Sequence, residues 1–479
     1  MDKAENNYKH ILKYTSIFGG VQGLNILIGL VRNKLVAVIL GPQGMGLMAL
    51  FNSSVRLIYD STNLGIPVSA VKNISQAYDS GDEAAVKKYV QVVRSWTFLT
   101  ALLGTLLCAI ASPLFNNLSF TWGDHTLHYL LLSPIVGMTA ITGGETAILK
   151  GVRRLRDLAT IQVATVISAL VTSVPLYYYF GEPAIVPSLI IIALASMIIT
   201  IVYSFRLYRP EWKIRKGDLG MGRSMIVLGI AFVIAGVLGS GADFAIRSFV
   251  SHTADLDTVG LYNAGFMMTM TYGGMVFSAM ETDYFPRLSS QFANRHVRNN
   301  IINQQIEVSL LLISPMLTWF MICLPILLPL LYSGKFLPVI GMMQAIVFAM
   351  LMRAAKLPVA YIALAAGDSK SYLIIETTYY LFLIAAVMIG FSGWGLDGAG
   401  WAITITGIFD ILQVYIYYSI RYKYRPTNRL FYYLSLQLPL LIAAYLITKT
   451  DDAFLYWGLG IAVALISTIV SVRLYMKLR

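Results

Sequence analysis

RLYRPEWKIRKGDLGMGR, residues 206–223, is the most polar stretch of a 479-residue chain, and six of its residues are Lys or Arg. Outward from it in both directions the sequence turns apolar. Hydrophobic residues make up 57% of the chain and charged residues 13%, with a mean hydropathy of +0.68. A soluble domain carries roughly a quarter charged residues, so this chain lacks the polar surface that an ordinary water-soluble fold requires. Its apolar runs recur near the ~20 residues with which a helix crosses a bilayer core. They fall at about 12–36, 44–70, 95–114, 127–148, 158–179 and 185–205 before the polar stretch. After it come 224–249, 259–284, 306–332, 338–364, 371–391, 398–420, 430–448 and 454–475. The expected fold is an all-α polytopic membrane protein of about fourteen transmembrane helices.

Charge placement orients these spans. With the N-terminus inside, 28 of the 36 Lys and Arg residues fall in inner segments and only Lys335 and Lys449 in outer loops. That asymmetry follows the positive-inside rule and puts both termini in the cytoplasm. It also accounts for the net charge of +12 without nucleic acid as a partner. The N-terminus, MDKAENNYKH, is mixed in charge and runs directly into the first apolar segment, which predicts no cleavable signal. Every outer connection is short, so function is expected inside the helix bundle or at the membrane surface. Cys108 and Cys323 lie in apolar runs without CxxC spacing and are expected to be small buried hydrophobes.

The polar stretch divides twelve spans into two halves. The expected organisation is 1–205, a six-helix half; 206–223, a basic linker; 224–420, a second six-helix half; and 421–479, two further helices. The halves echo one another. The second span opens Gly46-Leu47-Met48-Ala49-Leu50-Phe51, the eighth Gly260-Leu261-Tyr262-Asn263-Ala264-Gly265-Phe266. Arg32 and Arg247 precede these openings by fourteen and thirteen residues. With six spans each, the halves face the same way, as in transporters built from parallel repeats. Chance similarity between two glycine-rich helices is the alternative.

Arg32-Asn33-Lys34-Leu35-Val36-Ala37, Leu40-Gly41-Pro42-Gln43-Gly44-Met45-Gly46-Leu47, Gly65-Ile66 and Lys72-Asn73-Ile74-Ser75-Gln76 form a motif over about the first eighty residues. This opening resembles that of Wzx-type oligosaccharide flippases, in the multidrug/oligosaccharidyl-lipid/polysaccharide (MOP) exporter superfamily. The nearest likeness is to O-antigen and enterobacterial-common-antigen translocases. The rest of the chain agrees by topology. The resemblance implies a MATE-like fold in the bacterial inner membrane. It also implies alternating-access flipping of an undecaprenyl-pyrophosphate-linked oligosaccharide, with membrane lipids and other polysaccharide-assembly proteins as partners.

Ionisable groups inside spans cost a few kcal/mol each and point to hydrated cavities or partners. The bases are Arg32, Lys34, Arg56, Arg247, Arg353 and Lys356, expected as substrate-binding groups for a pyrophosphate. Arg353 is near mid-span and is the leading candidate. Asp60, Glu145, Asp243 and Asp410 are candidates for a coupling proton or sodium site. Arg56/Asp60 and Asp243/Arg247 are spaced i,i+4, so each pair can close on one helix face as a structural ion pair. Glu145 and Asp410 have no basic residue nearby on their own spans. Glu281, Asp283 and Glu376 lie near inner span ends and read as boundary residues. His125 and His128 read as surface polar groups beside Asp124. No P-loop, HExxH or dinucleotide fingerprint occurs, so no catalytic, metal or cofactor site is expected. Two alternatives stay open: an ion-coupled multidrug exporter or peptidoglycan-precursor flippase of the same superfamily, and a membrane enzyme acting on lipid-linked sugars.

Topology reporters fused after Gly81, Arg154, Lys216, Arg298 and Arg425 should read cytoplasmic, and those after Asn117, Glu182 and Asp257 periplasmic. A reversed reading at any site before residue 224 refutes the fourteen-span arrangement.

Overall fold

The computed structural model describes the backbone of residues 2–121, 123–209 and 216–477. Side chains are described from Gly23 onward except at 122, 210–228, 231, 271–272, 275–276, 278–283 and 478–479. Residues 210–215 of the expected basic linker, the side chains of 210–223, and those of Glu281 and Asp283 therefore lie outside the described residues.

Among those residues the fold is all helical. In chain order the helices are α1 (Asp2–Thr62), α2 (Ile66–Asp79), α3 (Glu83–Ile110), α4 (Ser112–Ser119), α5 (Thr126–Gly151), α6 (Leu155–Phe180) and α7 (Ile185–Leu207). They continue as α8 (Lys216–Thr253), α9 (Leu256–Phe266), α10 (Gly273–Ser290), α11 (Arg295–Leu331), α12 (Ile340–Ala366), α13 (Ser369–Tyr422), α14 (Asn428–Ile447) and α15 (Ala453–Met476). A π-helical turn, Met267–Tyr272, joins α9 to α10.

Eleven of the described helices are long and apolar enough to cross a membrane. Two of these are double. At 1.5 Å per residue, the 54 residues of α13 would run about 80 Å if straight, far beyond a ~30 Å hydrocarbon core. The chain folds back at Trp394 and Gly395, and Gly395 adopts φ 58°, a conformation open to glycine at little cost. α1 breaks in the same manner at Gly41 (φ 67°), with Pro42 following. The eighth expected span falls on α9, the π turn and α10. All fourteen expected spans thus fall mainly on helix, although 44–70 runs across the turn at 63–65 into α2 and 95–114 across the break at 111 into α4, and the chain is a multi-pass membrane protein.

The helices gather into two compact units, Met1–His252 and Thr253–Arg479. In the first, α5 is the central packing element. Gly137, Gly144 and Gly151 recur every seven residues along it, two turning to α3 and the third to α2. A Cβ at Gly137 would lie 2.6 Å from Thr105 Oγ1, and one at Gly151 2.6 Å from Ile74 Cβ. One at Gly144 would collide with the Thr97 side chain. Gly104 of α3 answers from the other side, where a Cβ would sit 2.7 Å from Val136. In lipid, helices gain little by hiding apolar surface from one another, so such small-residue seams allow the close backbone contact that holds them.

In the second unit, the two arms of α13 are clasped where their far ends meet. Tyr422 Oη donates to Asp368 Oδ2 (2.7 Å), as does Ser371 Oγ (2.7 Å), and the Ser371 N–H donates to Oδ1 (3.1 Å). These bonds, with Arg421 at 3.6 Å, hold the Asp368 carboxyl at about 2. A depressed carboxyl contributes stability above its unfolded value near ~4 and loses it as pH falls toward the folded one. Halfway along, Gln413 Nε2 donates to the Ile375 carbonyl (3.0 Å) and Thr378 Oγ1 to Gln413 Oε1 (2.7 Å). α11 secures the next turn, with Arg298 donating to the Tyr422 carbonyl (2.5 Å) and Asn303 to that of Arg425 (3.0 Å).

Gly144→Val should lower the thermal stability of the detergent-purified protein by about 1–3 kcal/mol or more. Gly458→Ala, where the added methyl meets open space, should be neutral or slightly stabilising. Equal melting temperatures for Gly144→Val and wild type would contradict the packing seam.

Candidate functional site

In the first unit the acids expected to couple ions are engaged by arginines. Arg94 of α3 grips Glu145 of α5 with Nε to Oε1 at 2.8 Å and Nη2 to Oε2 at 3.0 Å. Ser204 Oγ donates to the same carboxylate (2.5 Å), Arg94 Nη1 to the Tyr208 carbonyl (2.9 Å), and the guanidinium lies 4.5 Å from the Phe205 ring. Both side chains are largely buried. A bidentate pair with its remaining groups satisfied ties α3, α5 and α7 together. Glu145, which has no base nearby on its own span, acquires one 51 residues away.

The i,i+4 pairs close as expected. Arg56 Nε lies 3.6 Å from Asp60 Oδ2, with the arginine side chain 69% exposed and the aspartate 16%. Arg247 Nη1 lies 3.1 Å from Asp243 Oδ2 and is itself buried. Arg32 Nε donates to Ser173 Oγ at 3.0 Å, and Lys34 is half-buried.

The second unit holds a polar cavity of about 200 Å³ inside its helices. α12 contributes Arg353 and Lys356, one arm of α13 Glu376, Tyr379 and Tyr380, and the other arm Asp410. Met270 reaches it from the π turn, an irregularity frequent at functional sites. Lys356 Nζ pairs with Asp410 Oδ2 at 2.9 Å, and both side chains are largely buried. Lys356 therefore secures α12 to α13 rather than standing free, and Asp410 is neutralised across 54 residues of sequence. Arg353 differs. Its guanidinium lies 5.8 Å from the Phe277 ring and has no hydrogen bond or ion pair among the described residues. Glu376 also lines the cavity with no ion pair or hydrogen bond among them.

Glu376 and Cys323 depart from their expected places. Glu376 lines this cavity instead of marking a span end. Cys108 is fully buried, but Cys323 is half-buried on an apolar groove between α11 and α15. His125 and His128 bring their Nδ1 atoms within 3.2 Å of each other, with Phe120 tilted over His125 at 4.2 Å. Burial and the neighbouring imidazole lower the His125 pKa, against the pull of Asp124. No group able to hold a metal occurs among the described residues.

With this architecture in place, comparison assigns its class. The chain belongs to the polysaccharide biosynthesis protein family, which it matches over residues 11–292. It is 24% identical over 211 residues to stage V sporulation protein B of Bacillus subtilis, covering 43% of this chain and 40% of that protein. It is 23% identical over 288 residues to the lipid III flippase of Escherichia coli, covering 57% of this chain and 66% of that protein. The matches thus span less than two thirds of either relative. The fold is that of a structure of the lipid II flippase MurJ in an inward closed conformation (TM-score 0.75, 15% identity, 96% of this chain and 98% of that one). It is also that of an inward-facing MATE-family multidrug transporter of the MOP superfamily (TM-score 0.71, 15% identity, 83% and 94%).

Glu145→Gln leaves Arg94 buried without its counter-charge, and a broken buried pair costs about 3–5 kcal/mol. The variant should fall in abundance and melting temperature, and Arg94→Met combined with Glu145→Leu should recover much of the loss. A stable, abundant Glu145→Gln protein with impaired function would instead make Glu145 a transport residue.

Proposed function

We propose that this protein flips an undecaprenyl-pyrophosphate-linked oligosaccharide, such as an O-antigen or related polysaccharide repeat unit, from the cytoplasmic to the periplasmic leaflet of the bacterial inner membrane. This reading places both termini in the cytoplasm, which the distribution of Lys and Arg supports. The observation that carries this reading is Arg353. It lines a cavity within a membrane-embedded unit and has no counter-ion within bonding distance among the described residues. An arginine so placed costs several kcal/mol unless its charge serves a ligand, and a planar guanidinium matches phosphate oxygens in bidentate fashion. Membership of a polysaccharide biosynthesis family agrees with a lipid-linked sugar. The named lipid III flippase supports the same substrate class.

Of the other expected cations, Arg32, Lys34 and Arg56 of the first unit remain proposed contributors, with Arg247 tied more closely to Asp243. Lys356 holds Asp410 and shapes the cavity. A second reading, a peptidoglycan-precursor flippase, draws on the fold shared with a lipid II flippase over nearly its whole length. Which lipid-linked intermediate accumulates on deletion of the gene separates the two.

Arg353→Ala should abolish surface polysaccharide while the protein remains inserted and abundant. Arg353→Lys should restore part of it, because a point charge replaces a fork. Full complementation by Arg353→Ala at wild-type expression removes Arg353 from the mechanism.

A further inference from the structure

The four charges around the second unit's cavity are not equivalent. Lys356 and Asp410 lie 2.9 Å apart and are committed to each other as an ion pair. Arg353 carries a guanidinium that stays charged at any physiological pH. Tyr379 and Tyr380 line the same space, and Tyr372 and Tyr418 complete the titratable neighbourhood of Glu376. Glu376 alone combines a carboxyl that can gain or lose a proton with the lack of any hydrogen bond or ion pair among the described residues. Among the described residues, two acids balance two bases around the cavity when Glu376 is ionised. With a proton on Glu376 these described residues carry one net positive charge, and Arg353 is its source.

We propose that Glu376 is a proton-binding site that sets the affinity of Arg353 for a phosphate-bearing anion. The step is a protonation equilibrium: a proton from water bonds to the Glu376 carboxylate, one negative charge disappears from the cavity wall, and the anion gains the unopposed field of Arg353. Loss of that proton returns the carboxylate as a competitor for the same guanidinium. Proton and anion therefore bind with positive linkage, each raising the affinity of the other by the same factor. The inference rests on the proposed role of Arg353 as an anion contact. It adds a regulator that the earlier candidates, Asp60, Glu145, Asp243 and Asp410, do not supply, because each of those carboxylates has an arginine or lysine within 4.0 Å.

The test is calorimetric titration of the purified, full-length protein with inorganic pyrophosphate between about pH 5.5 and 8.5. Wild-type affinity should weaken about tenfold or more across this range, which corresponds to one pKa unit of coupling. Pyrophosphate itself gains negative charge as pH rises, which would push affinity the other way. Glu376→Gln should bind at all pH values as the wild type does at the acid end. Glu376→Asp should regain a pH-dependent loss, which guards against a variant altered merely in fold. A pH-independent wild type, no pyrophosphate binding, or an undiminished fall in Glu376→Gln overturns the proposal. If pyrophosphate binds with the expected pH dependence but Arg353→Ala still sustains surface polysaccharide, the switch stands and the assignment of Arg353 as the substrate contact in flipping fails. If Arg353→Ala binds pyrophosphate as the wild type does, the switch itself is refuted, since Glu376 would have no guanidinium to govern.

Discussion

A charge cannot stay in a bilayer unanswered, and the internal design of this protein follows from that constraint. Water is absent, so an ionised side chain within a span requires an opposite charge, hydrogen-bond donors or acceptors, or a cavity that readmits polar contacts. Arg94 and Glu145 meet it in full, with Ser204 and the Tyr208 carbonyl satisfying what the pair leaves over. Lys356 and Asp410 meet it more sparely. In each case the link joins helices far apart in sequence, so the cost of burying charge is offset by contacts that fix the helix arrangement. Such pairs are weak net stabilisers when intact and costly when broken, which makes them better at specifying a packing than at strengthening it.

How much of this could be read from residues alone depends on the range of the interaction. Spans are local, and runs of about twenty apolar residues mark the helical segments, although the breaks at 63–65 and 111 inside two of those runs are not marked. The fold-backs at Gly41-Pro42 and Trp394-Gly395 are local too, although only the first carries a dipeptide that announces a turn. The i,i+4 pairs Arg56/Asp60 and Asp243/Arg247 were legible because helical geometry fixes their distance. Arg94–Glu145 and Lys356–Asp410 were not, since the partners lie 51 and 54 residues apart and nothing in either segment encodes the register of the other. The place of Glu376 is hidden from sequence for a related reason: its distance from a span end is visible there, whereas the cavity it lines is made by α12, both arms of α13 and the π turn. The half-exposure of Cys323 likewise depends on how α11 meets α15.

The two units use their charges differently. Among the described residues, the first spends its buried carboxylate Glu145 on holding three helices together. The second keeps one base and one acid, Arg353 and Glu376, on a shared cavity without binding either to a partner. A packed interior that leaves a complementary pair uncommitted has capacity for a ligand, and this separates the two ionic clusters more sharply than burial does.

The α13 hairpin also bears on how strongly such a cavity can bind. Its arms are joined by backbone at Gly395, cross-tied by Gln413 and Thr378, and clasped again where Asp368 meets Tyr422. The hairpin is therefore a closed frame, anchored at both ends and braced in the middle. Glu376 and Asp410 ride on opposite arms of that frame, and their separation has little freedom to vary. A ligand entering between them finds walls already set and loses little conformational entropy in ordering them, so more of its contact energy is left to appear as affinity.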